Sequence, residues 1–190
     1  MEEEVKKHNY YTIILEHDEK LYLLQLHCKN HIAALVKWVE IFSDNSVNIS
    51  LLEKHKFIIE VQDEFKPTLL DEITTVWSSG IDTANYYCLI NVICTEKYPG
   101  ESSLYTFIFD FLGGTYISQY TSKDINAAKA EWAKNFDFSI IKIPEDKKTV
   151  FINSTSNTQL SSVKNLQSVW YMRPKIADQY GELHVIATEY

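Results

Sequence analysis

Chain breakers are scarce: five glycines and four prolines in 190 residues are too few for a collagen-like, linker-rich or disordered protein. No apolar run approaches the roughly 18 residues of a membrane-crossing helix, so no membrane partner is expected. The amino terminus, Met1-Glu2-Glu3-Glu4, is acidic where a secretory leader is basic and then apolar. Three cysteines, an odd number, fit reduced thiols better than a disulfide framework. Together these absences predict a cytoplasmic globular protein. Basic charge is short as well, with 18 Lys and Arg against 26 Asp and Glu and a net charge of −8. Residues 1–96 carry 16 acidic and 8 basic side chains, whereas residues 97–190 carry 10 of each, so the whole excess lies in the first half. An acidic surface repels phosphate backbones, and nucleic acid is therefore not an expected partner. The same charge keeps an aromatic-rich chain soluble and suits a basic protein partner.

What the chain does have is a repeat. Shifted by 94 positions, Tyr11–Phe42 aligns with Tyr105–Phe136 without a gap, and 10 of the 32 pairs are identical. Tyr11/Tyr105, Thr12/Thr106, Gln25/Gln119, Ala34/Ala128, Trp38/Trp132 and Phe42/Phe136 are among them. Near the ends the shift is 93, where Val76-Trp77 meets Val169-Trp170 and Val92–Glu96 meets Val185–Glu189. Two long copies indicate duplicated domains, since a solenoid needs three or more shorter units. The expected domains are residues 1–97, the acidic copy, and 98–190, separated near Tyr98-Pro99-Gly100, the strongest boundary signal in the chain.

The second copy is the easier to read. Aromatic residues at every other position from Tyr105 to Phe111 predict a strand with one aromatic face. Gly113-Gly114 precedes the β-rich run Thr115–Thr121 and predicts a tight hairpin, because a type I′ turn needs positive φ at both central residues. Asp18-Glu19-Lys20 stands there in the first copy and predicts a looser connection. A helix follows, capped by Ser122 or Asp124 and carrying Ala128, Trp132 and Phe136 at four-residue spacing. Asn30, Ala34, Trp38 and Phe42 predict the same helix in the first copy. Trp38 and Trp132 are expected to wedge between helix and sheet. Short strands are predicted at Phe57–Val61 and Thr149–Asn153, a short helix or turn near Trp77 and Trp170, and closing strands at Tyr87–Thr95 and Leu183–Glu189. The fold class is α+β: two tandem copies of a β-β-α-β-(α)-β unit, each an antiparallel sheet backed by one main helix.

Chemistry-bearing residues are sparse. His27-Cys28-x-x-His31, with His17 across the hairpin, has the residue types that bind zinc, and these side chains would converge if strand ran straight into helix. The spacing fits no established zinc pattern, and Thr121, Ser122 and Ile125 replace them in the other copy. Surface histidines at a strand end are the plainer reading, so no metal, cofactor or catalytic residue is assigned. Cys28 and His27 are adjacent on a strand and point to opposite faces, which argues against a thiol–imidazole pair.

The run Phe109-Asp-Phe-Leu-Gly-Gly-Thr-Tyr-Ile-Ser-Gln119, with Ala127-Ala128, Trp132, Val169-Trp170 and Val185–Glu189, resembles small bacterial domains of unassigned activity that occur as single chains of about this unit's length. The resemblance covers most of the second copy and, without the glycines, most of the first. It implies a bacterial cytosolic origin and a compact α+β domain, and it supplies no catalytic residues.

Two functions from different classes remain. The leading one is a non-catalytic protein-binding module of the immunity or antitoxin type, which covers a partner's surface, consistent with lopsided charge and abundant aromatic residues. The alternative is a small-ligand binder or metal-dependent enzyme with its pocket between the copies.

Overall fold

A computed structural model of the chain describes residues 8–17, 20–42, 49–62, 67–83, 87–100 and 102–190. Those residues form a mixed α/β protein of antiparallel sheet and four helices, in two compact units, Met1–Thr95 and Glu96–Tyr190.

The first unit opens with a hairpin of β1 (Asn9–His17) and β2 (Lys20–Cys28), in one-to-one register from Asn9 opposite Cys28 to His17 opposite Lys20. Helices α1 (His31–Ile41) and α2 (Leu51–Gln62) follow, then the short β3 (Thr68–Leu69), β4 (Val76–Asp82) and β5 (Tyr87–Thr95). The strand order is β3-β4-β5-β1-β2, antiparallel throughout. Alternate residues of β1 and β5, among them Ile13, Leu15, Ile90 and Val92, pack on Leu35, Trp38, Phe57 and Val61 of the helices. Burial of this apolar face holds the layers together, at about 25 cal/mol per Å² removed from water.

The second unit runs β6 (Ser103–Phe111), β7 (Gly114–Ser122), α3 (Ile125–Asn135), α4 (Glu145–Asn157), β8 (Ser161–Ser162) and β9 (Val169–Met172). A small ribbon of β10 (Lys175–Ile176) and β11 (Gln179–Tyr180) leads to β12 (Glu182–Thr188). Its sheet order is β8-β9-β12-β6-β7, again antiparallel. Tyr105, Phe107, Phe109 and Phe111 line one face of β6, as the alternation predicts, and pack on Trp132, Ala133 and Phe151.

Each unit therefore places two helices on its sheet, where one was expected. The segments Phe57–Val61 and Thr149–Asn153, read as strands, lie inside α2 and α4. Short apolar runs do not distinguish strand from helix by periodicity, and the deciding signals are at the helix starts. Ser50 and Glu53 form a reciprocal capping box: Ser50 N–H donates to Glu53 Oε2 at 2.7 Å, and Glu53 N–H donates to Ser50 Oγ at 3.2 Å. In the second unit Pro144 stands at the N-cap. Trp77 and Trp170, expected in a short helix or turn, sit on strands β4 and β9 opposite Val92 and Val185.

Helix α1 starts at Asn30, whose Oδ1 accepts from Ala33 N–H at 2.8 Å. Helix α3 starts at Asp124, not Ser122, with Oδ1 accepting from the N–H groups of Asn126 and Ala127 at 2.9 Å each. Such caps contribute about 1 kcal/mol. The β6–β7 hairpin closes with Phe111 opposite Gly114, so its two turn residues are Leu112 (φ 54°) and Gly113 (φ 75°). Both carry the positive φ of a type I′ turn, one position earlier than the expected Gly113-Gly114 pair. Gly114 instead opens β7 beneath Tyr116, whose hydroxyl would lie 2.6 Å from a Cβ there. In the first unit two residues also separate His17 from Lys20. The looser connection expected there falls on residues 18 and 19, outside the described residues.

Two details recur at matching positions of both units. Thr12 and Thr95 hydroxyls meet at 2.6 Å and Gln25 Nε2 donates to Thr12 Oγ1 at 3.1 Å; Thr106, Thr188 and Gln119 repeat this at 2.5 and 2.8 Å. All four threonines are buried, so each network satisfies hydroxyls that would otherwise cost about 1–3 kcal/mol to desolvate. The loop before β4 has positive φ at Glu72 and Thr75, and the loop before β9 at Asn165 and Ser168. Leu70 N–H to Val76 O, Ile73 N–H to Leu70 O and Cys94 N–H to Thr75 O hold the first loop. Val163 to Val169, Leu166 to Val163 and Ala187 to Ser168 hold the second in the same way.

Candidate functional site

The zinc candidates are not brought together. His17 ends β1 on its core side, where Cys88 Sγ lies 3.6 Å from His17 Nδ1 and both side chains are buried. Cys28 also faces the core, and burial pushes its thiol up despite the opposing charge of Lys37. His27 points the other way into solvent; its Nε2 lies 3.0 Å from His8 O and its ring packs 4.9 Å from Tyr10. His31, the first residue of α1, stacks flat on Trp77, with ring centroids 4.1 Å apart at 6°. Burial there pushes its imidazole below the usual value. Strand alternation separates His27 from Cys28, and His31 packs on the Trp77 indole. Among the described residues no group of three or more His, Cys, Asp or Glu side chains is placed to hold a metal ion.

The contact of Cys88 with His17 lacks the activation that nucleophilic catalysis needs. Burial pushes the Cys88 thiol up, away from thiolate, and the pair sits inside the core. Trp38 and Trp132 are fully buried between helix and sheet in their units. Trp77 and Trp170 are half-buried beside Tyr11 and Tyr105, each with ring centroids 6.4 Å apart.

A polar row on the second unit's sheet went unnoticed in the sequence. Asp110, Glu182 and Arg173 lie in register across β6, β12 and the end of β9, with His184 and Tyr171 in the next row but one along the strands. Thr115 Oγ1 donates to Asp110 Oδ1 at 2.6 Å, Tyr171 OH donates to Glu182 Oε1 at 3.4 Å, and Arg173 Nε lies 3.7 Å from the same oxygen. Burial and the Glu182 charge push the Tyr171 hydroxyl up, with Arg173 opposing. His184 is 4% exposed, its ring 5.0 Å from that of Tyr171, and burial holds its pKa down at about 4. A neutral imidazole with so low a pKa is a weak base at neutral pH, so the row is poorly suited to general acid–base work. The first unit has Glu16, Leu89, Gly80, Asn91 and Ser78 in the matching places. The signal available in sequence was the two-residue spacing of Glu182 and His184, which puts these polar side chains on one face.

Two surface grooves lie in the first unit. A groove of about 420 Å³ runs along β2, lined by Leu21, Tyr22, Leu23 and Leu24 with Trp38, Ile41 and Phe42 of the α1 end. A second groove, of about 500 Å³, follows α1 past Val36, Lys37, Glu40 and Ile41 to Gln62. Strand β2 has β1 as its only strand neighbour among the described residues, and Leu21 through Leu24 are all half-buried. Ile41, Leu51 and Leu52 are exposed nearby in sequence, Leu51 by 86%. The arrangement is a run of accessible apolar side chains beside two grooves.

No helix is long and apolar enough to cross a membrane among the described residues. The chain matches no protein-family model, no curated protein and no solved structure.

Proposed function

We propose that this protein is a non-catalytic binding module of the immunity or antitoxin type, which docks onto a basic protein partner and covers its surface. One observation carries the reading: the unit that holds nearly all of the acidic excess, with 15 acidic and 8 basic side chains in residues 1–95, also carries half-buried Leu21 and Leu24 on an edge strand where the other unit has Thr115 and Ser118. Apolar anchors supply affinity and complementary charge speeds encounter. Three buried cysteines outside any disulfide favour a reducing compartment, and the acidic balance disfavours nucleic acid as partner. We further infer that the units arose as tandem copies. Support comes from the matching threonine–glutamine networks and the matching pairs of left-handed loop residues, features too idiosyncratic to follow from fold class alone.

The test uses the full chain as bait in extract of the source cell at low salt, followed by elution with salt. A single basic protein recovered in stoichiometric amount, whose activity the chain suppresses, is the expected outcome. Recovery of no stoichiometric protein would remove the proposal.

A further inference from the structure

We infer that β7 is a self-association surface, on which two copies of the chain pair their β7 strands antiparallel about a two-fold axis at Ser118. This concerns the second unit and goes beyond the binding function proposed above, which stands or falls without it. Edge strands expose a row of backbone donors and acceptors, and soluble proteins blunt them with lysine, proline, bulges or inward charges. Strand β7 has none of these. It reads Gly-Thr-Tyr-Ile-Ser-Gln-Tyr-Thr-Ser, its only strand neighbour among the described residues is β6, and it pairs with β6 one-for-one throughout. Phe111 and Gly114 flank a two-residue turn and so form a hydrogen-bonded pair. Even-numbered residues of β7 therefore turn their N–H and C=O groups towards β6, and odd-numbered residues turn theirs outward.

Residue order selects the occupant. Thr115-Tyr-Ile-Ser-Gln-Tyr-Thr121 reads nearly the same in both directions. An identical strand turned over about Ser118 sets Thr115 against Thr121, Tyr116 against Tyr120 and Ile117 against Gln119. Odd residues then meet odd residues, so outward backbone groups face each other, and the tyrosines meet on the face that packs against the helices. Cross-strand aromatic and threonine pairs stabilise antiparallel strands. Strand β2 in the same arrangement would set Tyr22 against Leu26 and Leu21 against His27, with Lys20 at its start. Charge agrees with a second copy. The strand itself carries none, so nothing repels its twin, and it selects neither an acidic nor a basic stranger. On α3, Glu131 lies close enough to Tyr120 to add to the effect of burial in pushing that hydroxyl up. Lys134 follows one turn on, towards Phe136, whose ring packs 6.0 Å from that of Tyr116. The axis that sets Tyr120 against Tyr116 thus carries Glu131 towards Lys134 of the second copy, opposite charge to opposite charge.

Sedimentation equilibrium of the full chain tests the association, and cysteine cross-linking tests its register. The contact is narrower than the roughly 1,600 Å² of a standard interface, so a dimer with a Kd on the order of 10–100 μM is expected. At the axis the two Ser118 Cα atoms would form a non-hydrogen-bonded pair about 4.5 Å apart, within disulfide reach. The native cysteines are buried. With diamide as oxidant, Ser118→Cys is expected to give covalent dimer roughly 10-fold faster or more than Thr121→Cys, whose two copies this register holds about 20 Å apart. Equal rates would overturn the register and with it the proposal. In the unsubstituted chain, exchange of the Gly114–Ser122 amides is expected to slow as concentration rises, with β2 unchanged. Ser118→Lys, which brings two ammonium groups together at the axis, is expected to raise the Kd about 10-fold or more while the circular dichroism of dilute protein stays the same. A chain still monomeric at about 1 mM, open polymers in place of dimers, or protection of β2 in place of β7 would each overturn the proposal. Protection of β7 by another protein, in a chain that stays monomeric, would overturn the choice of occupant.

Discussion

The two units share one order of paired strands with two helices, the second adds the β10–β11 ribbon, and their cores are filled differently. Strand β6 presents Tyr105, Phe107, Phe109 and Phe111 to its helices, whereas β1 presents Tyr11, Ile13, Leu15 and His17. In the second unit Trp132 stacks on Phe107 at 5.4 Å and meets Phe109, Phe136 and Phe151 within 5.8 Å. In the first, Trp38 touches Phe42 at 4.9 Å and Phe57 at 6.3 Å, and aliphatic side chains complete its surroundings. Helix-end contacts are exchanged as well: Lys54 of α2 donates to Phe42 O at the end of α1, whereas Lys129 of α3 donates to Thr158 O at the end of α4. Each ammonium meets the negative end of a helix dipole, which is the shared requirement. The scaffold fixes where bulk and charge are needed and leaves open which residue supplies them.

Trp132→Ala tests that comparison most severely. Loss of a fully buried indole is expected to cost about 3–5 kcal/mol, and the change in the second unit should lie nearer the upper end than Trp38→Ala, because more rings lose a partner. Urea unfolding followed by circular dichroism measures both. Equal costs in the two units would mean that aromatic contacts add nothing to area burial.

A difference of charge state separates His184 from its first-unit counterpart, Asn91. Both are buried, but only His184 titrates. Its folded pKa of about 4 lies below the unfolded value near 6.5, so between those limits the unfolded state binds more protons. Stability is therefore full above about pH 6.5 and falls as the pH drops towards 4, by on the order of 3 kcal/mol at most. His184→Asn should flatten this limb, leaving the variant more stable relative to the parent at pH 4.5 than at pH 7. A difference independent of pH would show that the imidazole is not held neutral.

Much of this architecture is written in local patterns. Alternation in Tyr105–Phe111 and four-residue spacing in Ala128, Trp132 and Phe136 identified the strand and helix of each hairpin–helix segment, because each pattern has a single period. The second helices were missed, since Thr149-Val-Phe-Ile-Asn153 is rich in β-branched residues and the helical spacing of Phe151 with Thr155 shows only in a longer window. Ser50-Leu-Leu-Glu53 was the legible clue. The His17, His27, Cys28 and His31 cluster dissolved because side-chain direction, not sequence proximity, decides convergence. His17 occupies the place of Phe111, a core position, which explains its burial better than any ligand role.

Gly181 and Cys88 sharpen the comparison at the next level. A Cβ at Gly181 would lie 2.3 Å from Phe109 Cε2 and 3.0 Å from Asp110 O, whereas the first unit has the smaller Leu15 in the place of Phe109 and a cysteine in the place of Gly181. Gly181→Ala is expected to cost about 1–3 kcal/mol by overpacking. Phe109→Leu in the same chain should recover part of that loss, so that a double-mutant cycle reports a coupling of opposite sign to the single effect. Additive costs would show that ring and glycine do not share one space.

The smallest effect separates the hairpin turns. Leu112 holds φ at 54° with its side chain 67% exposed, so it takes on left-handed strain and gains little burial in return. A type I′ turn favours Asn followed by Gly, and Gly113 is already in place. Leu112→Asn is therefore expected to stabilise the second unit by up to about 1 kcal/mol, the scale of the left-handed penalty for an ordinary side chain. The gain should appear as slower unfolding of the β6–β7 hairpin amides in hydrogen exchange, with the first unit unaffected. A loss of stability instead would mean that Leu112 makes a packing contact worth more than its strain, and the turn would then be held by its side chain and not by its backbone.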